Sequence, residues 1–266
     1  MPLLTLLTDF GLADYYVAAV KGTVLRLAPQ TSQLVDISHQ VPPGDVETAA
    51  FLLAAAFPSF PAGTVHLAVV DPGVGSRRRI LAVRHSGSWL VAPDNGLLSP
   101  LLPQAGPIRA VERSGLFLAG PGQTFHGRDR FAPVAAALLR GEPGEGLGPE
   151  IGDPVRLSIE PPRREPGRIT GRVAHVDCYG NLVTDVPWAW LPEAPSSERC
   201  RVEVGSHSTD RRVTHYAEIP PGEAAYLPGS LGTVELSQNG ADLATKWHID
   251  RGTAVRISLD KDPDCV

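Results

Sequence analysis

Two hydrophobic rhythms divide this 266-residue chain. In the first half, wholly apolar runs alternate with stretches whose apolar residues recur every three or four positions. Residues 3–8 form an apolar run, and Val17, Val20, Val24 and Leu27 follow at helical spacing until Pro29 stops the pattern. The order repeats with a strand over residues 34–37, an Ala-rich helix over 45–57 and a buried strand over 65–70. Strands over 80–84 and 89–92, then a helix over 131–140 closed by Gly141, complete this half. Apolar strands alternating with helices predict an α/β/α domain with a mostly parallel sheet.

After residue 168 the rhythm changes. The segments RVAHVD, NLVTDV, RVEV, AAYL, GTVEL and AVRISL are short strand patterns separated by Gly, Pro and Asn turns, which predict a small antiparallel β-barrel. Between the halves, GEPGEGLGPE and EPPRREPG are dense in Pro, Gly and charge, a composition that disfavours regular structure. The chain therefore reads as an α/β domain over 1–150, a linker over 151–168 and a β-barrel domain over 169–266.

Charge narrows the partners. Lys and Arg number 24 against 29 Asp and Glu, so there is no broad basic surface for nucleic acid, and no apolar run approaches a bilayer span. Both point to a small-molecule partner, with neither nucleic acid nor membrane. Cys178, Cys200 and Cys265 form no CxxC pair and no even disulfide set, and MPLLTLLTDF reads as a buried first strand rather than a signal peptide; the expected setting is cytoplasmic.

Several polar residues stand where α/β sheets bind ligands. Asp9 and Asp71 each follow a predicted strand, at the carboxyl end where ligands of open sheets sit. A lone DPG is also an ordinary turn, with Arg77, Arg78 and Arg79 as a solvated run. Asp14 is read as the N-cap of the first helix, and PDNG over 93–96 as a turn. His126 precedes an Asp and a helix that would orient it; no metal-binding His spacing accompanies it. HVDCYGNLVTDV reads as a hairpin around Tyr179–Asn181, or as a turn with a buried Tyr. On spacing alone this is an α/β protein with a small-molecule site.

Taken together, TDFG (8–11), GDVE (44–47), VVDPGVG (69–75), PDNGLL (93–98), TFHGRD (124–129) and DCYGNLVT (177–184) resemble the S-adenosyl-L-methionine (SAM) hydroxide adenosyltransferases, or adenosine-forming SAM hydrolases, kin to the SAM-dependent fluorinase and chlorinase. The likeness continues to GSLGTVELSQNG at 229–240. It implies hydrolysis of SAM to adenosine and methionine without metal or other cofactor, in a homotrimer whose sites lie between subunits. Carried over motif by motif, Asp9 would bind the ribose hydroxyls, and Asp71, Arg78 and His126 would position and activate water. Asp177 and Ser230 would hold the methionine ammonium and carboxylate, and Asn181 and the backbone near Asn239 would face the adenine.

The related halogenases carry Tyr, Thr and Ser where this chain has Asp71, Val74 and Gly127, so the resemblance favours water over halide as nucleophile. The other readings are a non-catalytic SAM or adenosine binding module, and a metal-dependent hydrolase using Asp9, Asp71 and His126.

Overall fold

The computed structural model describes residues 2–30, 33–119, 122, 124–193 and 198–261, in two compact units divided between Ser158 and Ile159. The first unit carries β1 (Leu3–Thr8), α1 (Tyr16–Leu27), β2 (Gln33–Ser38), α2 (Val46–Ala56), β3 (Val65–Val69), β4 (Ile80–His85), β5 (Ser88–Pro93), β6 (Ile108–Ala110) and α3 (Ala132–Leu139). Its sheet runs β2-β1-β3-β5-β4-β6. The β1–β2, β1–β3 and β3–β5 pairs are parallel, while β4 runs antiparallel to both β5 and β6. The reversal comes from a two-residue turn in which Ser86 and Gly87 both adopt positive φ, the geometry that matches the twist of paired strands.

Every residue of β1 is buried because helices cover both sheet faces. On one face Val20 and Val24 of α1 and the wholly buried α3 meet Leu4, Leu6 and Leu67. On the other, Ala49 and Leu53 of α2 meet Leu7, Ala68 and Leu90. Asp45 caps α2, its carboxylate accepting from the Thr48 N–H at 3.0 Å. Polar residues inside β1 are satisfied sideways: Thr5 Oγ1 lies 2.8 Å from His66 Nδ1, and Thr8 Oγ1 lies 2.8 Å from His39 Nδ1.

The order β2-β1-β3 places a topological switch between β1 and β3, since the chain leaves β1 toward one side and returns on the other. The carboxyl ends of these two strands bear Asp9 and Asp71.

The second unit carries β7 (Arg163–Glu165), β8 (Arg168–Val176), β9 (Leu182–Pro187), β10 (Glu198–Val204), β11 (His207–Thr209), β12 (Ala224–Pro228), β13 (Thr233–Gln238), α4 (Leu243–Trp247) and β14 (Ala254–Lys261). The antiparallel sheet runs β11-β10-β14-β8-β9-β13-β12, with β7 added to β8. A bridge from Arg212, just past β11, to Tyr226 of β12 brings the two ends together into a nearly closed barrel around Ile169, Val202, Leu236 and Ile257.

Three local expectations are corrected. Asp14 does not cap α1: Tyr15 occupies that position, and no side chain accepts there. The helix expected over 131–140 is preceded by a π-helical turn, Gly127–Phe131, which extends the helical segment back to His126. Residues 163–165, inside the Pro- and charge-rich segment, pair with β8 as a strand.

Candidate active site

Asp71 follows β3 in a turn that doubles back, with the Val74 N–H bonded to the Asp71 carbonyl at 3.1 Å and the Ser76 N–H to that of Gly73 at 3.0 Å. The turn returns Arg78 onto Asp71. Arg78 Nε donates to both carboxylate oxygens at 2.9 Å, and Nη2 donates to Oδ2. Their side chains are only 9% and 5% exposed. The guanidinium also stacks on Phe131, 4.9 Å from the ring centroid. A buried ion pair is a weak source of stability, so this one marks a functional candidate.

His126, 2% exposed, joins the pair with Nδ1 2.9 Å from Arg78 Nη2. A guanidinium has no acceptor, so Nδ1 must be unprotonated and the imidazole proton sits on Nε2. Burial, and then the charges of Arg130 and Arg78, push the imidazole below its usual range against the pull of Asp71 and Asp129, which keeps it neutral. Nε2 is buried without a hydrogen-bond partner among the described residues. These bonds engage Arg78 Nε and Nη2, and among the described residues no hydrogen bond engages Nη1, whose hydrogens are left for another acceptor. Spacing alone reads Arg77, Arg78 and Arg79 as a solvated run, and the family resemblance singles out Arg78, seven residues after Asp71. Here Arg78 meets Asp71, while Arg79 pairs with Asp94 and Asp153.

Asp9 lies on the other side of the switch point. Its Oδ2 accepts from the Gly44 N–H at 2.8 Å, in a turn that Gly44 permits with φ of 74°. No hydrogen bond engages Oδ1 among the described residues. Asp94 and Asn95 prove structural: Asp94 accepts from the Val155 N–H, and Asn95 Nδ2 donates to the Val70 carbonyl.

The second unit bears a cavity of about 550 Å³ lined by Asp177, Tyr179, Asn181, Tyr216, Ser237, Asn239 and Asp242, among others. The β8–β9 turn builds one wall. Asp177 Oδ1 accepts from the Tyr179 and Asn181 N–H groups at 2.9 Å, and its Oδ2 accepts from Asn181 Nδ2 at 2.8 Å. Ser237 Oγ donates to Asn181 Oδ1 at 2.6 Å, which fixes the amide orientation. Gly180 adopts φ of 80°, and a β-carbon there would fall 2.1 Å from Asp242 Oδ1. Only glycine fits this turn.

Asn181 thus already spends one amide hydrogen on Asp177. Ser230 is exposed in the β12–β13 turn and is not among the cavity's lining residues. Asn239 lines the cavity. Tyr179 is 75% exposed, which rules out the buried-Tyr reading of this turn. Tyr216 joins the site from outside every quoted motif, and Ser237 joins it from within GSLGTVELSQNG, where nothing singled it out; both come from segments remote in sequence from Asp177. Among the described residues no group of three His, Cys, Asp or Glu side chains is arranged to hold a metal ion.

Residues 4–148 match the SAM hydroxide adenosyltransferase N-terminal domain, and residues 171–256 match the C-terminal domain of the same family. A protein of Salinispora tropica named (R)-S-adenosyl-L-methionine hydrolase is 40% identical over 263 residues, covering 97% of this chain and 98% of that one. A fluorinase of Nocardia brasiliensis is 28% identical, over 97% of each chain. The crystal structure of an uncharacterized conserved protein from Thermotoga maritima superposes with a TM-score of 0.88 at 33% identity, covering 96% of this chain and 99% of that one. With both halves matched in order, the chain belongs to the SAM hydroxide adenosyltransferase family.

Proposed function

We propose that this protein hydrolyses SAM. Water attacks ribose C5′, the C5′–sulfur bond breaks, and adenosine, methionine and one proton are released. The observation that carries the reading is the buried Asp71–Arg78–His126 cluster at the switch point. The sulfonium is already a good leaving group, so the protein's task is to align and activate the nucleophile.

The hydrogen bonds divide that work. Asp71 is the group with lone pairs to take the water proton. Arg78, always charged, stabilises the hydroxide through Nη1. His126 stays neutral, with Nδ1 committed to Arg78, and orients the guanidinium. Asp9 Oδ1 is open to a ribose hydroxyl. In the second unit Asp177, Asn181, Ser230 and Asn239 are the residues for the methionine and adenine ends, and Tyr179 and Tyr216 offer aromatic faces for the base.

Water fits better than halide. A carboxylate at position 71 can take a proton from water, whereas a halide has none to give and enters the pocket as an anion that the carboxylate repels. At Gly127 a β-carbon would lie 3.0 Å from the Phe10 ring, so a halide-binding serine requires that ring to shift.

The reading includes a homotrimer, with each site completed by the Asp9 set of one subunit and the Asp177 set of a neighbour. Leu12 and Tyr15, exposed beside Asp9, supply apolar surface for such an interface. No metal or other cofactor enters the reaction. Incubating the purified protein with SAM after chelator treatment and analysing the products by mass spectrometry tests the whole reading. Adenosine and methionine support it; methylthioadenosine or unchanged SAM contradicts it.

A further inference from the structure

Tyr216 lines the second unit's cavity from a short turn, Tyr216–Glu218, that belongs to no strand. Its hydroxyl donates to Glu235 Oε1 at 2.5 Å. Glu235 is 5% exposed within β13, held on one side by Leu227 of β12 and on the other by Val183 of β9. Gly229 seals it in: a β-carbon there would approach Glu235 Oε2 to 3.0 Å.

An acid in a barrel wall is expensive to bury. Burial pushes the Glu235 carboxyl above its usual range; the Tyr216 hydrogen bond opposes this, and the nearby Asp177 charge adds to it. An apolar residue would fit the wall at lower cost, so the acid is explained by what it holds. Without that bond the Tyr216 ring, on a turn and half exposed, would sample several rotamers, and a ligand stacking on it would have to order it first.

We propose that Glu235 is a positioning residue that holds the Tyr216 ring as a fixed wall of the cavity, against which a purine base stacks. The identity of the base rests on the SAM hydrolase reading; the positioning role does not need turnover and is tested by binding.

Adenosine is the probe, titrated calorimetrically into the full-length protein, with KM and kcat for SAM measured alongside. Glu235→Gln retains an acceptor for the phenol and should bind adenosine within about twofold of wild type. Glu235→Leu and Tyr216→Phe should each weaken binding by about tenfold, as expected for a lost hydrogen bond to a carboxyl. The double variant should be no weaker than either single one, because both remove the same interaction. KM for SAM should rise in parallel with kcat within about twofold, and the melting temperature of Glu235→Leu should not fall.

Tyr216→Phe keeps the ring and the barrel wall and carries the test should Glu235→Leu not fold. Wild-type affinity in folded Glu235→Leu or Tyr216→Phe, additive losses in the double variant, or no adenosine binding by wild type overturns the proposal. Adenosine binding with this pattern in a protein that leaves SAM intact upholds the positioning role and removes the hydrolase reading instead.

Discussion

Arg78 Nη2 and His126 Nδ1 lie 2.9 Å apart, and since the guanidinium can only donate, the imidazole must accept. This bond fixes the tautomer of His126 and separates its task from that of Asp71. It also makes the set sensitive to acid, because protonating Nδ1 would place two donors face to face.

The pH profile follows. The His126 imidazole is held below its ordinary value, chiefly by burial and then by Arg130 and Arg78, so the neutral form persists from neutral pH into the range where a free imidazole begins to protonate. We expect kcat to be flat over that range and to fall only at lower pH. His126→Gln, whose amide oxygen still accepts from Arg78, should keep kcat within about tenfold and lose that acid limb, whereas His126→Leu should cost about a hundredfold. An acid limb unchanged in His126→Gln would remove the histidine from the account.

Asp71 and Arg78 act on the nucleophile rather than on substrate affinity. Asp71→Asn and Arg78→Lys should each lower kcat by about a hundredfold or more, with KM for SAM within about threefold of wild type. Steady-state kinetics on variants with unchanged circular dichroism check this. A large rise in KM at constant kcat would make both residues binding groups.

Subunit sharing is tested by complementation. Asp9→Ala and Asp177→Ala proteins, each of low activity, should regain part of the wild-type rate when mixed under exchange conditions. An active monomer by light scattering would contradict the shared site.

A stability prediction concerns the core. His66 is buried at the Thr5 hydroxyl, and burial followed by the charge of His85 lowers its pKa to about 4. The folded state holds the ring neutral while the unfolded state protonates near 6.5, so the stabilisation is present above that value and is lost as pH falls toward 4. The loss is about 3 kcal/mol. Urea unfolding at pH 7.5 and pH 4 should show this extra loss in wild type and its absence in folded His66→Gln.

Much of the fold was legible because β1, β3 and α1 bury whole faces, and burial leaves a periodic trace. The local elements that were not legible turn on single-residue details of the backbone, whereas the contacts of the site depend on partners far away in sequence. Asp14 has the right type for a cap, yet the chain enters α1 one residue later, through Tyr15. Residues 163–165 look like linker, yet they fold back onto 168–170 across a two-residue turn at Pro166 and Gly167, whose φ is 73°. The Asp71, Arg78 and His126 positions were legible as motifs, but their contact spans 48 residues between Arg78 and His126 and needs the β3 turn to double back. Glu235 sits in the GTVEL strand pattern, whose spacing does not say what covers each face; the nearly closed barrel buries it and hands it to Tyr216.

The central claim is that water is the nucleophile at C5′. Incubating the protein with SAM in water enriched in heavy oxygen and analysing the adenosine by mass spectrometry tests it most directly. The account predicts one labelled oxygen at the 5′-hydroxyl and none in methionine. Unlabelled adenosine, or a 5′-halogenated nucleoside formed in its place at high chloride or fluoride, would contradict it.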